Sequence, residues 1–147
     1  MNLQCILVDD EPNNIESLSL LLEHVPGVSI QQSFNRPEEA YQHILRSPPH
    51  ILFLDVEMPG MSGFELLERL PDLPMSVIFV TAYNEFAVKA FRVNAIDYVL
   101  KPILFSDLKS AIDKAREQQA RRDQQKVIAE DRIALPTAKV IEFIQAA

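Results

Sequence analysis

The segment Ile51-Leu52-Phe53-Leu54-Asp55-Val56-Glu57-Met58-Pro59-Gly60-Met61-Ser62-Gly63-Phe64-Glu65-Leu66-Leu67 decides the fold. Its first four residues are apolar without alternation, which reads as a short strand buried on both faces. The run stops at Asp55, a residue type that strands disfavour. Met58 to Gly63 carries the Pro, Gly and Ser of a loop. Phe64, Leu66 and Leu67 then mark a short helix. A buried strand, a loop and a helix in this order form the repeating element of an α/β protein.

The same element recurs on both sides. Upstream, Leu3 to Val8 is an apolar run closed by Asp9-Asp10, and Ile15, Leu18, Leu21, Leu22 and Val25 follow at helical spacing. Asn13 or Asn14 is expected to cap this helix, and Pro26-Gly27 to stop it. Val28 to Phe34 alternates and reads as a more exposed strand. Pro37 opens a second helix with Ala40, Tyr41, Ile44 and Leu45 on one face, and Pro48-Pro49 ends it. Downstream, Val77 to Val80 ends in Thr81, and Phe86 to Arg92 is a short helix. Tyr98 to Leu100 ends in Lys101-Pro102, and Phe105, Leu108, Ile112 and Ala115 mark the last core helix. Strand–helix alternation of this kind predicts a doubly wound, five-stranded parallel sheet covered on both faces. With right-handed crossovers its simplest strand order is the flavodoxin-like 2-1-3-4-5.

From about Glu117 the character changes. Gln118 to Lys126 is polar and helix-favouring without an apolar stripe, and reads as a helical extension or linker over 119–131. Arg132 to Leu135 and Val140 to Ile144 read as two strands around Pro136-Thr137. Sixteen residues are too few for a domain, so 132–147 is expected to begin a further one, with the main domain over 1–118. The chain of 147 residues, 48% of them hydrophobic, suits one domain plus such an extension.

Composition excludes several classes. No apolar run approaches the ~18–20 residues of a membrane span. The N-terminus lacks a basic region and meets Asp9, Asp10 and Glu11 directly after its apolar run, so no signal peptide is expected. The single Cys5 has no internal disulfide partner and reads as a small buried residue. His24, His43 and His50 lack metal-ligand spacing. A soluble, cytoplasmic protein without membrane contact is the expectation. Residues 1–108 hold 6 Lys and Arg against 15 Asp and Glu, while 109–147 hold 8 against 6. So acidic a front disfavours nonspecific nucleic-acid binding through its surface.

Chemistry collects at the strand ends. In an open parallel sheet the ligand sits beyond the carboxyl ends, where strands one and three diverge. That rim receives Asp9 and Asp10, Asp55, Thr81 and Lys101. A lone aspartate after a strand is ordinarily a turn or cap residue, but one polar group per strand end in this order is a set. Three close carboxylates repel one another, and a hard divalent cation relieves them. All-oxygen ligands point to Mg²⁺, and a central carboxylate at Asp55 can attack phosphorus to form an acyl phosphate. Lys101 and the metal would stabilise the equatorial oxygens of the transferring group, and Thr81 can donate to one of them.

Leu7-Val8-Asp9-Asp10-Glu11, Leu54 to Pro59 with Gly63, Val80-Thr81-Ala82 and Asp97 to Pro102 resemble the signature of bacterial response-regulator (CheY-like) receiver domains. The resemblance covers about residues 1–118. It implies that Asp55 accepts a phosphoryl group from a sensor histidine kinase. It implies Mg²⁺ held by Asp10, Asp55 and the backbone carbonyl of Glu57, with Asp9 acting through water. Lys101 would pair with phosphoryl oxygens, and Lys101-Pro102 would be a cis peptide. Thr81 and Tyr98 would be the switch pair, and Glu57 and Tyr83 positions that tune phosphoryl lifetime. Phe79 to Phe91 followed by Ala95 to Tyr98 is similar to receivers attached to LytTR-type DNA-binding domains. Arg132 to Ile144 is similar to the first strands of such a domain, without the usual glycine near Ala138. The subfamily implies a homodimer through the Phe86–Val93 helix and the Tyr98 strand, DNA contact only through the C-terminal domain, and a role in transcription regulation. The receiver itself would be a phosphoacceptor rather than a turnover enzyme.

Two other classes are distinguishable. Haloacid-dehalogenase-type phosphatases also place Asp, Thr or Ser, and Lys at successive strand ends, but need an acidic pair after the Lys. Here Asp9-Asp10 precedes Asp55. An interaction module without phosphorylation would not need all five strand-end groups.

Overall fold

The computed structural model describes residues 2–134. Its elements follow the apolar runs: β1 (Leu3–Val8), α1 (Pro12–Leu22), β2 (Val28–Phe34), α2 (Pro37–Arg46), β3 (Ile51–Leu54), α3 (Gly63–Arg69), β4 (Ser76–Thr81), α4 (Ala87–Arg92), β5 (Asp97–Leu100) and α5 (Phe105–Ala134). The five strands form one parallel sheet in the order β2-β1-β3-β4-β5, as the alternation predicts.

Period-2 alternation of the strands explains the two cores. Ile6, Val8, Leu52, Leu54 and Phe79 point to the face covered by Ala40 and Ile44 of α2, Phe64 and Leu66 of α3, and Ala90 of α4. Cys5, Leu7, Phe53, Ile78 and Val80 point to the opposite face, under Leu18 and Leu22 of α1 and Leu108, Ala111, Ile112 and Ala115 of α5. β1, β3 and β4 are apolar through their middles because both their faces are covered, with polar residues only toward their ends, at Gln4, Ser76 and Thr81. β2 is an edge strand, and its mixed burial matches its alternation. Each fully buried side chain such as Phe53 or Leu52 contributes roughly 1.5–3 kcal/mol. Cys5 is completely buried, and desolvation pushes its thiol up to about 12.

Three local expectations need correction. α1 begins at Pro12 with Glu11 at the N-cap position and no side-chain cap, so Asn13 and Asn14 lie inside the helix. The fixed φ of proline pre-organises the first turn, which moves the start ahead of the asparagines. Leu45 is 40% exposed because α2 covers the sheet edge, where a narrower stripe, Ala40 and Ile44, suffices. Arg132, Ile133 and Ala134, read as the start of a strand, are helical. The preceding run of Gln, Arg, Ala, Lys and Glu contains strong helix formers and no stop signal, so the helix propagates. The rest of that strand and the one at Val140 to Ile144 lie outside the described residues.

α5 is 30 residues long, about 45 Å at 1.5 Å per residue. Contact with the sheet continues past Ala115. Arg116 donates to the Pro26 carbonyl. Arg122 Nη2 donates to the Met75 carbonyl at 2.9 Å and to Gln118 Oε1 at 3.0 Å, and Gln118 Oε1 also accepts from the buried Ser76 hydroxyl. The polar stretch therefore starts as a clamp on the N-terminal end of β4.

Candidate functional site

The strand register sets the site. Val8 lies opposite Leu54, Leu54 opposite Phe79, and Thr81 opposite Leu100. Asp9, Asp55 and Lys101, the residues that follow β1, β3 and β5, therefore emerge on one edge beside Thr81, the last residue of β4. Backbone bonds hold these exits: Asp9 N–H donates to the Phe34 carbonyl at 3.1 Å, Asp55 N–H to the Val8 carbonyl at 3.0 Å, and Lys101 N–H to the Thr81 carbonyl at 2.8 Å. Lys101-Pro102 is a cis peptide.

Three carboxylates and one ammonium meet there. Ligand oxygens of Asp9, Asp10 and Asp55 all lie within 4.8 Å of one another. Lys101 Nζ donates to Asp9 Oδ2 at 2.7 Å and to Asp55 Oδ2 at 3.2 Å. Asp9 Oδ1 accepts from the Glu11 amide at 3.0 Å and from Asn14 Nδ2 at 3.5 Å. Among the described residues Asp10 makes no such bond, and it lines the open groove with Glu57, Met58, Tyr83 and Pro102. Sequence reasoning missed Asn14; its place in the first turn of the helix after Asp9-Asp10 is the signal that could have found it.

The electrostatics are unbalanced. Burial raises the Asp55 pKa, the Lys101 charge opposes this, and the Asp9 charge adds to the rise. Burial alone would lower Lys101, but the Asp9 hydrogen bond and the charges of Asp55 and Asp9 outweigh it and raise its pKa. One ammonium faces three carboxylates, so the cluster has negative charge to spare. Hard, all-oxygen donors at this spacing fit Mg²⁺.

Thr81 is fully buried, and its hydroxyl accepts from the Tyr83 amide at 3.4 Å. The half-buried Tyr98 donates its hydroxyl to the Tyr83 carbonyl. Burial raises the Tyr98 pKa. Tyr83 thus links the two side chains through its own backbone. Its amide faces Thr81 and its carbonyl faces Tyr98.

The close approach of α3 completes the site. Gly63 N–H donates to the Val56 carbonyl at 2.8 Å, and a Cβ at Gly63 would stand 2.3 Å from the Asp55 carbonyl oxygen. Only glycine lets the helix start this near the strand exit. Ser62 caps α3 by accepting from the Glu65 amide at 3.1 Å.

A doubly wound sheet with an acidic cluster and a lysine at its carboxyl edge defines a small class of phosphate- and metal-handling α/β domains. Comparison with known proteins narrows that class. The family model for the response regulator receiver domain matches residues 5–113. An uncharacterized response regulatory protein of Vibrio cholerae is 42% identical, covering 77% of this chain and 44% of its own length. The sensory transduction protein LytT of Enterococcus faecalis is 38% identical, at 77% and 48%. The transcriptional regulatory protein BtsR of Escherichia coli K12 is 33% identical, at 82% and 51%. The chain therefore spans about half the length of these relatives. Among solved structures, a signal receiver domain from Vibrio parahaemolyticus superposes with a TM-score of 0.75 at 26% identity, covering 84% of this chain and 97% of the other. The response regulatory domain of protein mrkE from Klebsiella pneumoniae gives 0.70 at 27% identity, with 82% and 98% covered. The chain belongs to the response regulator receiver domain family and is a component of two-component signalling. Among the described residues no helix is long and apolar enough to cross a membrane.

Proposed function

We propose that Asp55 is the phosphoacceptor of this receiver and that a sensor histidine kinase is the donor. The observation that carries the reading is the Asp55 carboxylate itself. It is 7% exposed, held 3.2 Å from Lys101 Nζ, and opens on a groove at the carboxyl edge of the sheet. In the transfer an Asp55 carboxylate oxygen forms a bond to phosphorus as the phosphorus–nitrogen bond of the donor histidine breaks, and the electron pair leaves with the imidazole. Lys101 pairs with the phosphoryl oxygens, turning from the carboxylates that it bridges at rest. Thr81 donates its hydroxyl to a phosphoryl oxygen.

Asp10, Asp55 and the Glu57 carbonyl would hold Mg²⁺, with Asp9 acting through water. Asp10 supports this division because its carboxylate is uncommitted among the described residues, whereas both oxygens of Asp9 are in use. When bound, the ion supplies positive charge to the transferring group and relieves the carboxylate repulsion. Glu57 and Tyr83, at the rim, tune how long the phosphoryl group survives. The domain acts once per phosphoryl group and turns over no external substrate.

The output is association. As Thr81 moves toward the phosphoryl group, the Tyr83 backbone and the Tyr98 ring follow. This changes the α4–β5 face, where Val88, Phe91 and Leu100 are 66%, 84% and 42% exposed. A second copy docks there, through the Phe86–Val93 helix and the Tyr98 strand. The similarity to LytT supports an attached LytTR-type DNA-binding domain as the output and transcription regulation as the role. Residues 1–118 are the receiver and 119–131 the link, in a cytoplasmic setting, with the family match over 5–113 in keeping with the receiver bounds.

Incubation with Mg²⁺ and acetyl phosphate, followed by intact-mass measurement, tests the phosphoacceptor. A single adduct of ~80 Da is expected, absent in Asp55→Asn. An adduct that survives this substitution would place the chemistry elsewhere, and turnover of a small phosphate ester would favour a phosphatase.

A further inference from the structure

α4 is held by little. Ala90 is its one buried residue, and Val88 and Phe91 face outward. Two of the side chains at its N-terminal half meet a single ring. Phe64, 2% exposed, lies with its centroid 6.1 Å from Phe86 at the N-cap of α4, the rings tilted by 59°. Lys89 Nζ stands 4.6 Å over the same ring. Phe64 also packs 4.8 Å from Phe79 of β4. These spacings are those of favourable aromatic and cation–π contacts.

This ring is fixed to the phosphoacceptor. Phe64 follows Gly63, which is pinned by its bond to the Val56 carbonyl and lies against the Asp55 backbone with no room for a Cβ. Two consecutive residues therefore connect Asp55 to the seat of α4. Neither is Thr81 or Tyr98.

We propose that Phe64 is a positioning residue that couples Asp55 to α4: its ring seats the N-terminal half of α4 through Phe86 and Lys89. The α4 face thus responds to modification of Asp55 through the first turn of α3 as well as through Thr81 and Tyr98. The inference rests on the reading of Asp55 as phosphoacceptor and adds a second route to its output. A two-state element biased from both sides is the physical requirement for such coupling.

Amide hydrogen exchange of the full chain tests it, with and without Mg²⁺ and beryllofluoride, a phosphoryl mimic. Without ligand, Phe64→Leu should lower protection of the α4 amides at Ala90 to Val93 by about 5–30-fold, the loss expected from one aromatic pair and one cation–π contact. Beryllofluoride affinity should stay within about twofold. Phe64→Tyr, which keeps the ring, should restore protection, and Lys89→Met should give part of the loss. The beryllofluoride response of α4 should persist in Thr81→Ala and vanish in Thr81→Ala with Phe64→Leu. Should Phe64→Leu lower protection everywhere, the Lys89→Met arm decides, and unchanged α4 protection in it overturns the seat. A response abolished by Thr81→Ala alone overturns the second route. Failure of the unsubstituted chain to bind beryllofluoride would overturn the phosphoacceptor reading and the coupling with it. The unligated comparison would still decide whether Phe64 seats α4.

Discussion

Asp9 and Asp10 are neighbours with different surroundings, and the difference comes from direction. One strand residue after Val8 turns inward, where Lys101, the Glu11 amide and Asn14 occupy its oxygens. The next turns to the groove. Replacing each should therefore fail differently. Asp10→Ala should weaken Mg²⁺ binding at least tenfold with little change in melting of the metal-free protein, since a direct ligand is lost and no bond is broken. Asp9→Ala should weaken Mg²⁺ less but lower metal-free stability by about 1–2 kcal/mol, because its bonds to Lys101, the Glu11 amide and Asn14 go while Lys101 keeps Asp55 as a partner. Paired Mg²⁺ titrations and thermal melts check this, and equal metal losses in both variants would reverse the assignment.

At the scale of elements, α5 is two helices in one. Through Ala115 it is a core helix, apolar on the side of the sheet. Beyond that it is polar, and it stays registered to the sheet through Gln118 and Arg122 on Ser76 and Met75. Burial lowers the Arg122 pKa, and the Asp72 charge opposes the fall. Arg122→Ala removes a charge-assisted bond to the Met75 carbonyl and should free the helix from the sheet after about residue 118, at a cost of about 1–2 kcal/mol local to that segment. Limited trypsin digestion should then cut at Arg121 and Lys126 about 5–30-fold faster, with phosphorylation of Asp55 unchanged. Cutting at the unsubstituted rate would mean that the extension holds its position without the clamp. A helix that leaves the receiver in a fixed direction gives whatever follows it a defined orientation.

For the molecule as a whole, exposed apolar residues occur on several elements, among them Leu20, Ile30 and Leu45, and one group of them stands where output is expected. Val88 and Phe91 of α4, Leu100 of β5, and Leu104 beyond it are all exposed, whereas Ala90 is used to pack α4 down. A face of this kind suits the association proposed above. Sedimentation at several concentrations should show a weak dimer that tightens ~5–150-fold with Mg²⁺ and beryllofluoride, the range a coupling of ~1–3 kcal/mol allows. Phe91→Ser should abolish the tightening without affecting ligand binding. A monomer unchanged under all conditions would leave release of an attached domain as the output.

The apolar runs determined the sheet, its parallel sense and its strand order, because strands whose middles are buried on both faces read as continuous apolar stretches between helices. They also located the acidic edge, since the runs of β1, β3 and β5 are followed by Asp9-Asp10, Asp55 and Lys101, and β4 ends in Thr81. Other features arose only on folding. The Lys101 bridge to Asp9 and Asp55 joins residues separated by 92 and 46 positions. Neither the clamp of Arg122 on β4 nor the ring of Phe64 under α4 leaves a local pattern, because each depends on which loop or helix the packing brings alongside. The start of α1 at Pro12 and the run of α5 through Ala134 were competitions between local signals. A fixed proline φ won the first over the asparagine caps, and helix propagation through good formers won the second over the strand signal beginning at Arg132. Sequence thus settles what must be buried and what must stand at the edge, and tertiary packing settles which distant groups then touch.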